Sequence, residues 1–245
     1  MKQGDFTVIS NEYVARNVNR IVLEGDCQEI AEPGQFVNVL IQGCHLRRPI
    51  SVCDVENNRL TLLYKLVGRG TNILASYLPG NSLNLITGLG NGYDTALNIE
   101  HPLLIGGGMG MSPLYWLCKK LLSEGKLPHV ILGFGGTPDI VMEKEYLDLG
   151  VPVTIATMDG SKGVKGTVVD AMEDISYDYF FTCGPMPIYR AMNKVMKTSG
   201  QYSFEAHMGC GIGACYSCSC KTMLGTKQIC KDGPVFKKEE ILWEN

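Results

Sequence analysis

Cys210, Cys215, Cys218 and Cys230 follow one another as C-x4-C-x2-C-x11-C, a spacing with which a tight loop can hold a [2Fe-2S] cluster. Thiolates supply the bonds to such a core. The intervening Gly209, Gly211 and Gly213 let the backbone bend around it with amides turned toward sulfur. The chemistry this points to is movement of single electrons. Two other uses of four cysteines stay open at this level: a structural zinc site, which usually shows two short Cys pairs or a Cys/His mixture, and a set of disulfides. Cys220 lies two residues past Cys218, outside the pattern, and is left out of the ligand set.

Further candidates lie upstream. In Arg48-Pro49-Ile50-Ser51 the arginine can pair with phosphate oxygens and the serine hydroxyl can hydrogen-bond the redox edge of a flavin. Leu63-Tyr64-Lys65, followed by Gly68-Arg69-Gly70-Thr71, offers glycine amides and a helix start to a pyrophosphate. The plain alternative is that Arg48 and Lys65 are solvated surface charges. Gly106-Gly107-Gly108-Met109-Gly110-Met111-Ser112-Pro113 sits between a strand and a helix, so its amides face any bound diphosphate. It departs from the dinucleotide fingerprint G-x-G-x-x-G because Met111 stands where the third glycine belongs. Cys183-Gly184-Pro185 ends another strand, where a buried cysteine and a helix-starting proline explain it equally well. Asp159 can accept from a ribose hydroxyl and repel a 2′-phosphate, which favours NADH over NADPH.

These residues need a scaffold. Up to about residue 98, short β-rich runs broken by turns (7–10, 21–23, 35–41, 50–53, 60–66 and 82–86) predict a small antiparallel barrel, with a brief helix over 71–77. Strands alternating with longer helical patterns then predict a parallel α/β sheet over 99–200. Its strands are expected at 103–105, 129–133, 153–156 and 179–182. Helices are expected at 112–122, with Ser112 as N-cap, and at 138–149, 168–172 and 185–198. A Cys- and Gly-rich segment over 201–245 completes a three-part chain: barrel 1–98, nucleotide-binding domain 99–200 and cluster segment.

The bulk numbers describe an ordinary globular protein. The chain has 245 residues, is 45% hydrophobic, and sets 22 basic against 25 acidic residues for a net charge of -3. That balance lacks the positive footprint that nucleic acid or an anionic membrane requires. No apolar stretch has the length of a signal peptide or membrane helix, so the expectation is a cytoplasmic protein. Five of the ten cysteines fall between 210 and 230, whereas Cys27, Cys44, Cys53, Cys118 and Cys183 are scattered. Clustering of that kind suits metal binding in a reducing compartment, and the scattered five read as small buried hydrophobes. His45, His101, His129 and His207 show no ligand spacing, and no paired carboxylates or nucleophile triad stand out, so no catalytic acid or base is expected.

Barrel with R-P-x-S, glycine-threonine turn, glycine-rich strand-helix turn and Cys-Gly-Pro, in that order, resemble the ferredoxin-NADP reductase superfamily. The resemblance implies FAD on the barrel, a nicotinamide nucleotide on the α/β domain, and Cys183-Gly184 beside the nicotinamide. Pro33-Gly-Gln-Phe-Val37, Gly88-Leu-Gly-Asn-Gly92 and the cysteine segment through Phe236 narrow it to the electron transfer subunits of dihydroorotate dehydrogenase B. The family's late barrel motif commonly reads Gly-Pro-Leu-Gly, whereas Thr87-Gly88-Leu89 lacks the proline, and the loop between Cys218 and Cys230 is short. That family implies a relay: a partner subunit oxidises dihydroorotate on FMN, and electrons cross a [2Fe-2S] cluster and FAD to NAD+, in a heterotetramer with two copies of each chain. Two rivals remain open, a reductase subunit of a bifurcating transhydrogenase or sulfide dehydrogenase, and a zinc-stabilised interaction module without redox activity.

Overall fold

A computed structural model describes residues 1–243. Its first body is a closed six-stranded antiparallel barrel built from β1 (Lys2–Ala15), β2 (Val18–Glu24), β3 (Phe36–Val39), β4 (Arg48–Glu56), β5 (Arg59–Lys65) and β6 (Ser82–Leu89), in the order β1-β2-β5-β4-β3-β6. Period-2 alternation decides which residues enter the barrel: in β6, Leu83, Leu85, Thr87 and Leu89 are buried while the residues between them are more exposed. Phe6, Ile21, Leu23, Val37, Val39, Leu60 and Leu62 complete the interior. Helix α1 (Arg69–Leu74) covers one end through Leu74, shorter than the expected 71–77 and beginning two residues earlier.

The second body is a seven-stranded sheet ordered β10-β9-β8-β7-β11-β12-β15. It contains β7 (Pro102–Gly107), β8 (His129–Phe134), β9 (Val153–Thr157), β10 (Val164–Lys165), β11 (Tyr179–Cys183) and β12 (Gly200–Ser203), all parallel, with β15 (Val235–Lys237) antiparallel at one edge. β7 and β11 are buried along their whole length, as central parallel strands are when both faces are covered. Helices α2 (Met111–Ser123), α3 (Glu143–Asp148) and α4 (Met186–Val195) pack around it. A hairpin of β13 (Ser219–Thr222) and β14 (Gly225–Gln228) follows the first three motif cysteines.

Several expectations need correction. The helix expected over 138–149 is a 3-10 turn at Thr137–Asp139 followed by α3 alone, and that expected over 168–172 is a 3-10 turn at Asp170–Met172. Ser112 does not cap α2: the chain enters through a 3-10 turn at Gly108–Gly110 whose last residue already has right-handed helical dihedrals, so Gly110 is the boundary and Ser112 is buried in the first turn. The limit set at residue 200 meets the start of β12, and β15 carries the chain back into the sheet, so the cysteine segment is tied to the second body at both ends. Among the described residues no helix is long and apolar enough to cross a membrane.

Candidate functional site: two clefts and a cysteine loop

Where the barrel meets the carboxyl edge of the sheet lies an open cleft of about 740 Å³, a size suited to an elongated cofactor. Arg48, Pro49, Ile50 and Ser51 of β4, Leu63, Tyr64 and Lys65 of β5, and Thr71 of α1 all line it. The sequence motifs therefore converge in space. Gly70 lies behind Arg48, and a Cβ there would stand 2.8 Å from the guanidinium Nε, so glycine lets the arginine lie on the first turn of α1. The Thr71 hydroxyl accepts from the amides of Val67 (3.0 Å) and Gly68 (3.3 Å), which fixes that turn. Tyr64 turns its hydroxyl away and donates to Asn11 at 2.8 Å.

The opposite wall carries Met109, Ser112, Pro113 and Cys183, then Ser203 to Met208 beyond β12. A second cleft of about 220 Å³ shares Lys65 and Met109 with the first and adds Gly108, Gly135, Arg16 and Asp139. Two glycine-rich turns interlock here. A Cβ on Gly110 would meet the Cys183 carbonyl and lie 2.7 Å from the Gly184 nitrogen, while a Cβ on Gly184 would lie 3.3 Å from the Gly107 backbone. The Gly184 amide donates to the Tyr189 hydroxyl at 2.8 Å, and that hydroxyl donates to the Ser203 carbonyl, joining the ends of β11 and β12. Burial pushes the Cys183 thiol well up, so it stays protonated. Asp159 lies outside both clefts, at their rim against Gly136, where hydrogen bonds from the Ser161 side chain and amide hold its carboxyl below the ordinary value.

The cysteine loop begins where the cleft wall ends: Met208 lines the cleft, two residues before Cys210. Amides of Ile212 (3.4 Å) and Ala214 (3.2 Å) donate to Cys210 Sγ, that of Gly213 donates to Cys230 Sγ (3.2 Å), and that of Cys230 donates to Cys218 Sγ (3.4 Å). Donors aimed at sulfur stabilise thiolate. Hydrogen bonds from Ser217 bring the Cys215 thiol down to about 6. Burial pushes Cys230 up to about 12 in the protein alone, a cost that a bound metal removes by taking the thiolate. Cys218 and Cys230 pack in one cluster, with the Cys230 amide donating to Cys218 Sγ, and the thiols of Cys210 and Cys215 influence each other's titration. Among the described residues no three His, Cys, Asp or Glu side chains form a group that could hold a metal ion. In a [2Fe-2S] core four thiolates are shared between two irons, two to each. Cys220 faces a separate cleft with Phe236 and Trp243.

A family model described as the iron-sulfur cluster binding domain of dihydroorotate dehydrogenase B matches residues 205–242. The chain is 38% identical to the electron transfer subunit of dihydroorotate dehydrogenase B (NAD(+)) from Geobacillus sp. (strain WCH70), over 99% of this chain and 99% of that protein. With the subunit of the same description from Bacillus pumilus (strain SAFR-032) it shares 38% identity over 98% of each. The chain belongs to this family of electron transfer subunits. Among solved structures, an NADH-dependent reduced ferredoxin-NADP oxidoreductase described in connection with flavin-based electron bifurcation matches with TM-score 0.88 and 26% identity, over 97% of this chain and 90% of that one. An Amycolatopsis cytochrome P450 reductase shares the fold at TM-score 0.66 and 20% identity, over 78% of this chain and 65% of that one.

The sequence reading missed part of this subunit's site. Among the described residues, Glu205 is the only carboxylate lining the larger cleft. Its side chain is accessible while the cleft holds solvent, yet protein crowds it from behind, and this desolvation moves its carboxyl upward. Glu205 follows β12, a strand whose alternation is hidden because all four of its residues are buried. Asn38, whose side chain reaches the cysteine loop, gave no signal at all.

Proposed function

We propose that the chain is the electron transfer subunit of an NAD-dependent dihydroorotate dehydrogenase, taking electrons from an FMN-bearing catalytic subunit and delivering them to NAD+. The observation that carries this reading is a four-cysteine loop that continues directly from the wall of a cofactor-sized cleft. Whole-length likeness to electron transfer subunits supports it. FAD, when bound, exchanges electron pairs with nicotinamide and single electrons with a [2Fe-2S] cluster.

Arg48, backed by Gly70, offers its guanidinium to phosphate oxygens, and Thr71 keeps the amides of that turn in place. Pro49, Ile50, Leu63 and Tyr64 give an apolar wall to a ring system, with the Ser51 hydroxyl to bond its polar edge. Lys65 and Gly108, which line the smaller cleft, serve the nicotinamide nucleotide, with Gly107 and Gly110 shaping the turn behind them, and Cys183, held in place through Gly184, bounds the place for its ring. Asp159 stands where it disfavours a 2′-phosphate. Cys210 with Cys215 holds one iron, and Cys218 with Cys230 the other.

The catalytic subunit docks on the outer face of the cysteine segment, where Ile212, Tyr216, Met223 and Leu224 are exposed beside the exposed Cys215. Two copies of each chain then make a heterotetramer. The test is reconstitution without oxygen. Mixed with the FMN-bearing subunit, this chain supports dihydroorotate-dependent reduction of NAD+, and Cys215→Ser abolishes that activity while NADH still reduces the flavin. Equal loss of both activities contradicts the relay. Likeness to the bifurcation-linked oxidoreductase supports a second reading, in which the partner is that type of complex; inactivity with the dihydroorotate-oxidising subunit favours it.

A further inference from the structure

Asn38 stands out among the buried polar residues. It is 2% exposed in β3, a strand position where asparagine is disfavoured, and its Oδ1 has no hydrogen-bond partner. The barrel itself does not account for this. The amide's one side-chain bond leaves the barrel altogether: Nδ2 donates to the carbonyl of Cys210 at 3.0 Å. Gly211 is shaped to this approach, since it takes a left-handed conformation (φ +70°) and a Cβ there would press on the Asn38 amide, 3.1 Å from its Cγ.

The same strand touches the other cysteine pair. Phe36, two residues away and hence on the same face of β3, packs with Cys218 and Cys230 and also lines the larger cleft. On its other side Asn38 is in register with Pro49, part of the wall assigned to flavin. Its backbone carbonyl accepts from Arg47, which also bonds Asn84 of β6 through its carbonyl (3.2 Å) and side chain (2.7 Å). β3 is thereby pinned on both flanks. Each cysteine pair thus meets one residue of a strand hydrogen-bonded to the flavin wall.

We propose that Asn38 is a positioning residue that sets the cysteine loop at a fixed place against the flavin wall, and so governs how fast electrons pass between FAD and the cluster. The proposal rests on the reading of the chain as a flavin and iron-sulfur protein. Outer-shell partners of this kind alter activity by about 10-fold to 100-fold when removed. No covalent step is involved, and the residues assigned to nicotinamide, on the opposite wall of the cleft, do not touch the Asn38 contact.

The test compares Asn38→Leu and the milder Asn38→Ser with the wild-type protein, purified without oxygen. Iron content, the paramagnetic signal after dithionite, the rate at which NADH reduces flavin, and the rate at which the electron then reaches the cluster are read separately. Expected are unchanged iron, NADH-to-flavin rates within about twofold, a changed line shape of the paramagnetic signal, and passage to the cluster slowed about tenfold or more. Gly211→Ala, made on the loop instead of the strand, gives the same split. In an Asn38→Ala background, where space has opened, Gly211→Ala costs less than it does in the wild type. Wild-type passage rates and line shape in both Asn38 variants, with iron present, overturn the proposal alone. Absence of iron from the wild-type protein overturns the underlying reading and this proposal with it.

Discussion

Glu205 puts a carboxylate into the wall of the larger cleft. A carboxylate near Cys183 and Ser203 in the same cleft wall favours the cationic ring of NAD+ over neutral NADH, and a partly exposed pair of this sort is worth about 0.2–1 kcal/mol. Glu205→Gln is therefore expected to raise the KM for NAD+ about twofold to fivefold and to leave that for NADH nearly unchanged, as steady-state kinetics in the two directions will show. The pH dependence follows from the upward displacement of this carboxyl from 4.5. As pH falls through the raised value the charge is lost and NAD+ binding weakens. Above it, binding is insensitive to this group. The glutamine variant loses that dependence, and an unchanged acid limb would remove Glu205 from the site.

At the scale of elements, the two glycine-rich turns after β7 and β11 hold the nucleotide side of the site together. Gly110→Ala forces a methyl group onto the Cys183 carbonyl and the Gly184 nitrogen, an overpacking that costs about 1–3 kcal/mol. Gly108→Ala meets nothing within 4 Å and bears only the strain of φ +55°. Thermal unfolding should therefore rank Gly110→Ala as the more damaging, and the reverse order would deny the interlock. The sequence revealed these turns because glycine between a buried strand and a helix has few other uses. It revealed all six barrel strands for a similar reason, the alternation of Leu83, Leu85 and Leu89 in β6 being typical. It hid β12, β13, β14 and β15, whose four or fewer residues hold no full alternation, and it overextended α3, because periodicity continues through Pro138 although the backbone there is a 3-10 turn. The four-cysteine motif was legible from spacing alone. Asn38 and Glu205 were not: the partner of Asn38 lies 172 residues away, and Glu205 follows a strand too short to show alternation.

Across the whole molecule, barrel and sheet are joined by one apolar core. Ala15, Val18, Cys53 and Leu63 from the barrel belong to the same cluster as Leu114, Leu117, Val141 and Met142 from the second body. Ion pairs line its rim: Arg16 with Asp139 (2.6 Å), Arg20 with Glu145 (3.0 Å) and Lys119 with Asp54 (2.8 Å). The Arg16 side chain is 57% exposed, so Arg16→Ala should leave stability nearly unchanged. Leu117→Ala, fully buried in the shared core, should cost about 2–5 kcal/mol. Denaturant unfolding decides between them, and a larger loss for Arg16 would mean that charge, not apolar packing, fixes the two bodies. That fixed arrangement is what keeps the cysteine loop, tied to the sheet by β12 and β15, beside the cleft on the barrel. The most direct measurement is the metal content and low-temperature paramagnetic spectrum of the wild-type chain, isolated without oxygen and reduced with dithionite. The account predicts about two irons per chain and a single-electron signal from a [2Fe-2S] centre; zinc in place of iron, or iron without that signal, would contradict it.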